Sequence, residues 1–191
     1  MARRKRLSDE AVLDAALGLI HQHGPEALTF ESLSQACGLS GATLVQRFGG
    51  KAALKQAALL RAWDGLDAQT KSLAAAVPRT PAGAIALLVG LSDYGEIDAY
   101  AEGLLVLRED LRDPRLRARG AAWQAALVAA LDACFADTPH VPRDIGLLMA
   151  AQWQGSLLWW SFDPRGAIAE HVRHELVRLV AALLAGNTDV R

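Results

Sequence analysis

Residues 38–51 run Gly-Leu-Ser-Gly-Ala-Thr-Leu-Val-Gln-Arg-Phe-Gly-Gly-Lys. Gly38 suits the left-handed residue that closes a helix. Ser40 suits the N-cap of the next one, because its hydroxyl accepts a free amide N–H. Leu39, apolar and between two helices, is expected to plug the gap between them. A short helix then runs from about Gly41 to Arg47. Leu44 and Phe48 stand four apart and share its inner face. Gly41, Ala42 and Thr43 are small, so this helix end can approach a sugar-phosphate backbone closely. Thr43, Gln46 and Arg47 point elsewhere and are residue types that hydrogen-bond bases or phosphates. Lys51 opens the following helix, where a cation opposes the helix dipole. A phosphate at that helix start would remove the conflict.

The upstream residues complete a three-helix unit. Ser8 caps a helix whose first turn carries Asp9 and Glu10, the favourable sign at that end. Leu13, Leu17 and Ile20 recur at helical spacing, widened by Val12, Ala16 and Leu19. Gly24-Pro25 stops this helix. Thr29 caps a second helix, about Phe30 to Cys37, with Phe30 and Leu33 facing inward. Two helices joined by a tight glycine turn lay the second one in a DNA major groove.

These residues resemble the TetR family of transcriptional regulators. The resemblance runs from Val12 to about Leu59. It rests on Val-Leu-Asp-Ala-Ala-Leu (12–17), Gly24, Ala27, Thr29, the Cys-Gly-Leu-Ser turn (37–40), Thr43-Leu44, Phe48 and Lys51-Ala-Ala-Leu. Gly41, Ala42 and Val45 stand where the family often has Lys, Gly and Tyr. That tyrosine usually touches a phosphate, so Val45 either packs inward or meets a thymine methyl. Gly49-Gly50 replaces the family's Pro-Ser before the lysine, and Glu31 is acidic close to the expected backbone contact.

Composition agrees with such a protein. A length of 191 residues fits one domain or two small ones. Alanine and leucine dominate and favour helix, and no segment alternates convincingly with period two, so an all-α fold without a sheet is expected. The net charge of −1 divides unevenly. Residues 1–61 hold eight Lys/Arg against five Asp/Glu, and residues 62–191 hold twelve against sixteen. The amino-terminal part is therefore the phosphate-facing end. Arg3, Arg4, Lys5 and Arg6 form a basic arm beside the motif, suited to phosphate or minor-groove contact. Two distant cysteines, Cys37 and Cys134, make no disulfide framework, and a reducing cytoplasm fits. No signal peptide is read, and the longest apolar stretch, Leu147 to Phe162, is broken by Gln152, Gln154 and Ser156, so no membrane partner is expected.

About nine helices are expected. After the three short ones, the punctuation gives Lys51–Ala76, a linker at 77–81, a fifth helix from Pro81, a sixth over Ile97–Asp110, and a seventh from about Arg115 to Phe135. An eighth extends from about Arg143 to Ser161 and a ninth from Ala167 to Leu184. The domains expected are 1–52 for DNA binding and 53–191 for ligand binding and dimerisation, with the helix of about 51–76 joining them.

The last two helices carry the dimerisation expectation. Val172, Leu176, Leu179 and Leu183 lie on an apolar stripe of the ninth. Ala151, Gly155 and Leu158 mark the eighth, where small residues permit close approach. The plain alternative is that this stripe faces only its own core. The resemblance implies a homodimer paired through these helices, and helix-turn-helix units read half-sites in pairs. It also implies an inducer site in the body. Tyr94, Tyr100, Trp123, Gln124, Trp153 and Trp159 are the candidate lining, favouring an aromatic or amphiphilic ligand; taken singly, each aromatic is more simply a core or interface residue.

Other chemistry is weak. Gly49-Gly50-Lys51-Ala52 lacks the first glycine and the Ser/Thr of a phosphate-binding loop. His171 and His174, three apart on one helix, have no evident third ligand and read as a solvated face, so no metal and no cofactor is expected. No nucleophile motif is present, so no enzyme is expected. Taken together, the expected protein is a dimeric regulator of a palindromic double-stranded DNA operator, a repressor by default, released by a small molecule. Thr29, Ser40, Lys51 and the arm anchor phosphates; Gly41, Ala42, Thr43, Gln46 and Arg47 face the groove, with Gln46 and Arg47 reading bases. The alternatives are a regulator controlled by a protein partner or by none, and a helical-bundle binding protein or enzyme.

Overall fold

Side-chain caps and glycines set the helix ends. The computed structural model describes residues 7–92 and 97–185. Its helices are α1 (Asp9–His23), α2 (Phe30–Cys37), α3 (Gly41–Phe48), α4 (Lys51–Ala76), α5 (Pro81–Gly90), α6 (Ile97–Arg112), α7 (Pro114–Cys134), α8 (Ile145–Phe162) and α9 (Ile168–Ala185). A single 3-10 turn, Pro25–Ala27, follows α1, and no strand occurs among the described residues.

Ser8 Oγ accepts the Ala11 N–H at 3.2 Å and opens α1. Thr29 and Ser32 cap α2 reciprocally, each hydroxyl accepting the other's backbone N–H at 3.0 Å. Thr80 accepts the Gly83 N–H at 3.2 Å and Pro81 follows it, so α5 starts where its missing N–H costs nothing. Three starts differ slightly from the sequence expectation; α9 begins at Ile168, one residue after Ala167. Helix α7 begins one residue early, at Pro114, because Asp113 Oδ1 accepts the Arg115 N–H at 2.8 Å. Helix α8 begins at Ile145, not Arg143, and its cap comes from another helix: Asp132 Oδ1 of α7 accepts the Gly146 N–H at 2.7 Å.

The chain forms two compact units. One comprises the described residues up to Leu66 with Asp98–Gly120; the other comprises Asp67–Ile97 with those from Ala121 onward. The three divisions fall inside α4, inside α7 and after the first residue of α6. The core of the first unit joins Val12, Ala16 and Ile20 of α1 to Leu28, to Leu33 of α2, to Leu44 of α3, to Leu54, Ala58 and Leu59 of α4, and to Leu116 of α7. This unit therefore runs past residue 52, because the first turns of α4 supply part of its core.

In the second unit, α5 is buried on nearly every side, through Ala84, Ile85, Leu87 and Leu88. Helices α8 and α9 pack on each other, burying Met149, Trp153 and Leu157 from one and Ile168, Val172, Leu176 and Val180 from the other. The indoles bring polar partners into this core. Trp153 Nε1 donates to Ser92 Oγ at 2.8 Å, and Trp123 Nε1 donates to Thr70 Oγ1 at 3.0 Å. The two rings lie 6.3 Å apart and tilted.

Gly83 is where α5 passes the linker: a Cβ there would fall 1.9 Å from the Pro78 carbonyl oxygen. Gly83→Ala is expected to lower stability by about 1–3 kcal/mol, read as a lower urea midpoint at unchanged slope. Gly103→Ala, in α6 with open space around its Cβ position, is the control and should gain about 0.5–1 kcal/mol.

Candidate nucleic-acid interface

Helices α2 and α3 meet across a turn that local bonds hold. Gly38 adopts φ +70°, the left-handed conformation expected of it, and its N–H reaches the Ser34 carbonyl at 2.9 Å. Ser34 Oγ donates to the Leu39 carbonyl at 2.6 Å, and Leu39 packs half-buried against the first unit's core. Ser40 Oγ accepts the Thr43 N–H at 3.2 Å and lies 2.8 Å from the Thr43 hydroxyl. Leu33 and Leu44 are fully buried beneath the pair. The outer face of α3 is what remains. Ala42, Val45 and Gln46 are exposed there, at positions i, i+3 and i+4. Val45 is 47% exposed and so does not pack into the core. It was missing from the expected contact set, although its spacing from Ala42 placed it on that face.

The remaining candidates differ in their freedom. Gly41 and Thr43 are half-buried and Ser40 is exposed. The Thr29 hydroxyl is engaged with Ser32, both accepting its N–H and donating to its Oγ at 3.0 Å. Lys51 Nζ lies 3.6 Å from the Glu26 carboxylate and 3.4 Å from its carbonyl oxygen. Both side chains are well exposed, so this pair is weak and the ammonium is readily given up to a phosphate. Arg47 is placed otherwise than expected: its guanidinium is turned back on α1, where it pairs with Asp9 and bonds the Leu7 carbonyl. Residues 3–6 of the basic arm lie outside the described residues.

Behind Lys51, α4 is fastened to α6 and α7 inside the same unit. Lys55 Nζ meets Glu109 Oε2 at 2.5 Å, and Gln56 Nε2 donates to Asp113 Oδ2 at 2.5 Å. These bonds hold the Glu109 and Asp113 carboxyls below the ordinary carboxylate range. Asp110 behaves oppositely. It is 8% exposed and accepts the Trp63 indole N–H at 3.2 Å. Burial pushes its carboxyl up to about 6; the Trp63 bond opposes that rise, and Asp113 and Glu109 add to it.

The body residues named from sequence are distributed over both units. Trp123 and Trp153 come together, but as buried core. Gln124 is exposed and Trp159 is 71% exposed. Tyr100 is buried in the first unit, its hydroxyl pushed to higher pKa by desolvation. Tyr94 lies outside the described residues. Of the dimer-face candidates, Ala151 and Leu158 are exposed and Gly155, Leu179 and Leu183 are half-buried. Val172 and Leu176 are fully buried within their own unit. The exposed apolar face of α9 is Val177 and Leu184 instead, and α8 adds Leu147, Leu148, Trp159 and Phe162. Among the described residues no group of three or more His, Cys, Asp or Glu is placed to hold a metal ion, and no helix is long and apolar enough to cross a membrane.

This arrangement defines the chain as an all-helical helix-turn-helix protein. Residues 12–58 match the model of the bacterial regulatory proteins of the tetR family. The whole chain shares its fold with solved structures. A transcriptional regulator from Rhodococcus sp. Rha1 superposes with a TM-score of 0.75 at 17% identity, over 94% of this chain and 97% of that one. A protein from Saccharomonospora viridis in complex with choline gives 0.69 at 19% identity, over 89% and 93%. The multidrug binding protein EbrR complexed with proflavin gives 0.61 at 22% identity, over 88% and 96%. No curated protein matches the chain by sequence. Residues 12–58 are thus similar to the amino-terminal region of the tetR family, and the chain shares the all-helical fold of the solved regulators it superposes on.

Asp110 yields a pH test. The folded chain holds its proton between about pH 4 and 6, where the unfolded chain has released it. Its contribution to stability therefore falls as pH rises through that window and is level above it. Asp110→Asn keeps an acceptor for Trp63 and removes the buried charge. The variant should gain on wild type from pH 4 to 6, reaching up to about 3 kcal/mol by pH 7 in urea unfolding.

Proposed function

We propose that this regulator binds a palindromic operator as a homodimer, represses transcription by occupying it, and is released by a small molecule. The observation that carries the reading is the outer face of α3. Ala42, Val45 and Gln46 stand exposed beside Ser40, with no large side chain shielding them from a groove. Gln46 has the amide suited to an adenine edge, and Val45 the methyls suited to thymine. Lys51, Ser40, the Thr29 region and the arm at Arg3, Arg4, Lys5 and Arg6 then supply backbone contacts.

Dimerisation is supported by the apolar side chains left on α8 and α9. Leu147, Leu158, Trp159 and Phe162 on α8, and Val177 and Leu184 on α9, expose between 39% and 74% of their surface. Such a surface on two packed helices suits a two-fold contact, which presents the same patch from both copies. Ligand control is supported by the fold partners that hold choline and proflavin. The ligand releases DNA only if it binds the two states of the dimer unequally. Helix α4 contributes residues to both units and provides the covalent route for such a change.

Selection from random duplexes with the purified full-length chain tests the first part, and a palindromic consensus is expected. Lys51→Ala should weaken every selected duplex alike and reduce the salt slope by about 0.9 per protomer. Leu158→Arg should convert the dimer to monomer in sedimentation and cost most of the affinity for the palindrome. Thermal-shift screening with choline and proflavin as first probes tests ligand control; selection of half-sites without symmetry would contradict the dimeric reading.

A further inference from the structure

We propose that Arg47 does not read a base: together with Asp9 it fixes the angle at which α3 is presented, and so acts as a positioning residue for sequence recognition. This inference rests on the DNA-binding reading of α3.

Three observations converge on it. The Arg47 guanidinium sits between α3 and the start of α1. Nε donates to Asp9 Oδ1 at 2.6 Å, Nη2 pairs with the same carboxylate oxygen, and Nη2 also donates to the Leu7 carbonyl at 3.0 Å. These partners lie 38 and 40 residues away in sequence, so the contact joins two helices and not two turns of one. A bidentate contact with guanine needs two N–H groups side by side on one edge of the fork. The Nε/Nη2 edge is already directed at α1.

The surroundings fit a fixed strut. The Arg47 side chain is only 22% exposed, while its neighbour Gln46 is exposed. Its guanidinium carbon also lies 5.7 Å from the Phe48 ring centroid, within cation–π range. The open groove beside it, about 580 Å³, is walled by Leu7 and Asp9 on one side and by Thr43, Gln46 and Arg47 on the other. The strut therefore spans the space next to the reading face.

Charge supplies the third argument. Asp9 is 65% exposed on the side of the molecule that would meet phosphates. Its position in the first turn of α1 is favourable for that helix. Next to DNA an unpaired carboxylate would be repelled. Pairing with Arg47 neutralises it where it stands, so the two residues serve one geometry.

The consequence is a distinct pattern of specificity. Loss of a direct reader removes discrimination at one base pair. Loss of a strut lets α3 tilt, and discrimination weakens across the half-site while phosphate contacts remain.

The test uses the full-length chain and the duplex selected by wild type, with every single-base-pair variant of one half-site. Wild type, Arg47→Ala, Asp9→Asn and the double variant are compared. Both single variants should lose several-fold discrimination spread over all positions of the half-site. The double variant should be no worse than the poorer single one, because both break the same contact. The salt slope should stay at the wild-type value. The proposal is overturned if Arg47→Ala loses discrimination at one base pair while Asp9→Asn keeps it. It is equally overturned if Arg47→Ala lowers the salt slope by about 0.9 per protomer, which marks a phosphate contact, or if both variants match wild type. Should Arg47→Ala fail to fold by circular dichroism, Asp9→Asn decides alone, since Asp9 is exposed. Wild type that selects no duplex overturns the DNA-binding reading itself, a result separate from all of these.

Discussion

The burial of Leu44 is the constraint on which the rest depends. An eight-residue helix is far too short to hold itself together in water. Helix α3 exists because one leucine enters the core shared with Leu33, Ile20 and Leu54, and because Ser40 and the Gly49 N–H satisfy its two ends. Once Leu44 points inward, the rotation of the helix is fixed. The side chains at 42, 45 and 46 must then point away from the core. The exposed face of α3 is thus a by-product of packing, and its chemistry is free to vary without touching the core.

The same economy operates at the base of α4. Asp113 caps α7 through the Arg115 N–H and also accepts from Gln56 of α4. Glu109 holds Lys55, and Asp110 takes the Trp63 indole. Three acids within five residues thereby meet α4 at three heights. Two are satisfied by strong donors and remain ionised easily; the third is buried with one indole donor and resists ionisation. This is a tight junction with one discordant member.

Much of this was legible from residue order because its causes are local. Ser8, Thr29, Ser40 and Thr80 are caps recognisable from the residues beside them, and Gly38 needs only the knowledge that a helix must end there. Leu33 and Leu44 follow from periodicity. What escaped the sequence reading depends on partners distant in the chain. Nothing near Arg47 announces that Asp9 will face it, so its contact with α1 could not be read from its place on α3. For Trp123 and Trp153 residue order left pocket lining and core both open, and the Thr70 and Ser92 hydroxyls against their indole nitrogens come from distant parts of the chain. The stripe of α9 was recognised as apolar, but a stripe has two edges. Packing on α5 and α8 takes Val172 and Leu176, and leaves Val177 and Leu184 outside. The cap of α8 was also invisible, since Asp132 belongs to another helix.

The first compact unit is assembled from two pieces of chain separated by some thirty residues that belong elsewhere. A fragment ending at Leu66 would contain the whole helix-turn-helix and still be incomplete. Leu59 would lack Leu116, Lys55 would lack Glu109, and the Trp63 indole would lack Asp110. The helix-turn-helix is therefore not a detachable module. It is stitched to later sequence, and any genetic rearrangement that transplants it must carry α6 and the start of α7 as well.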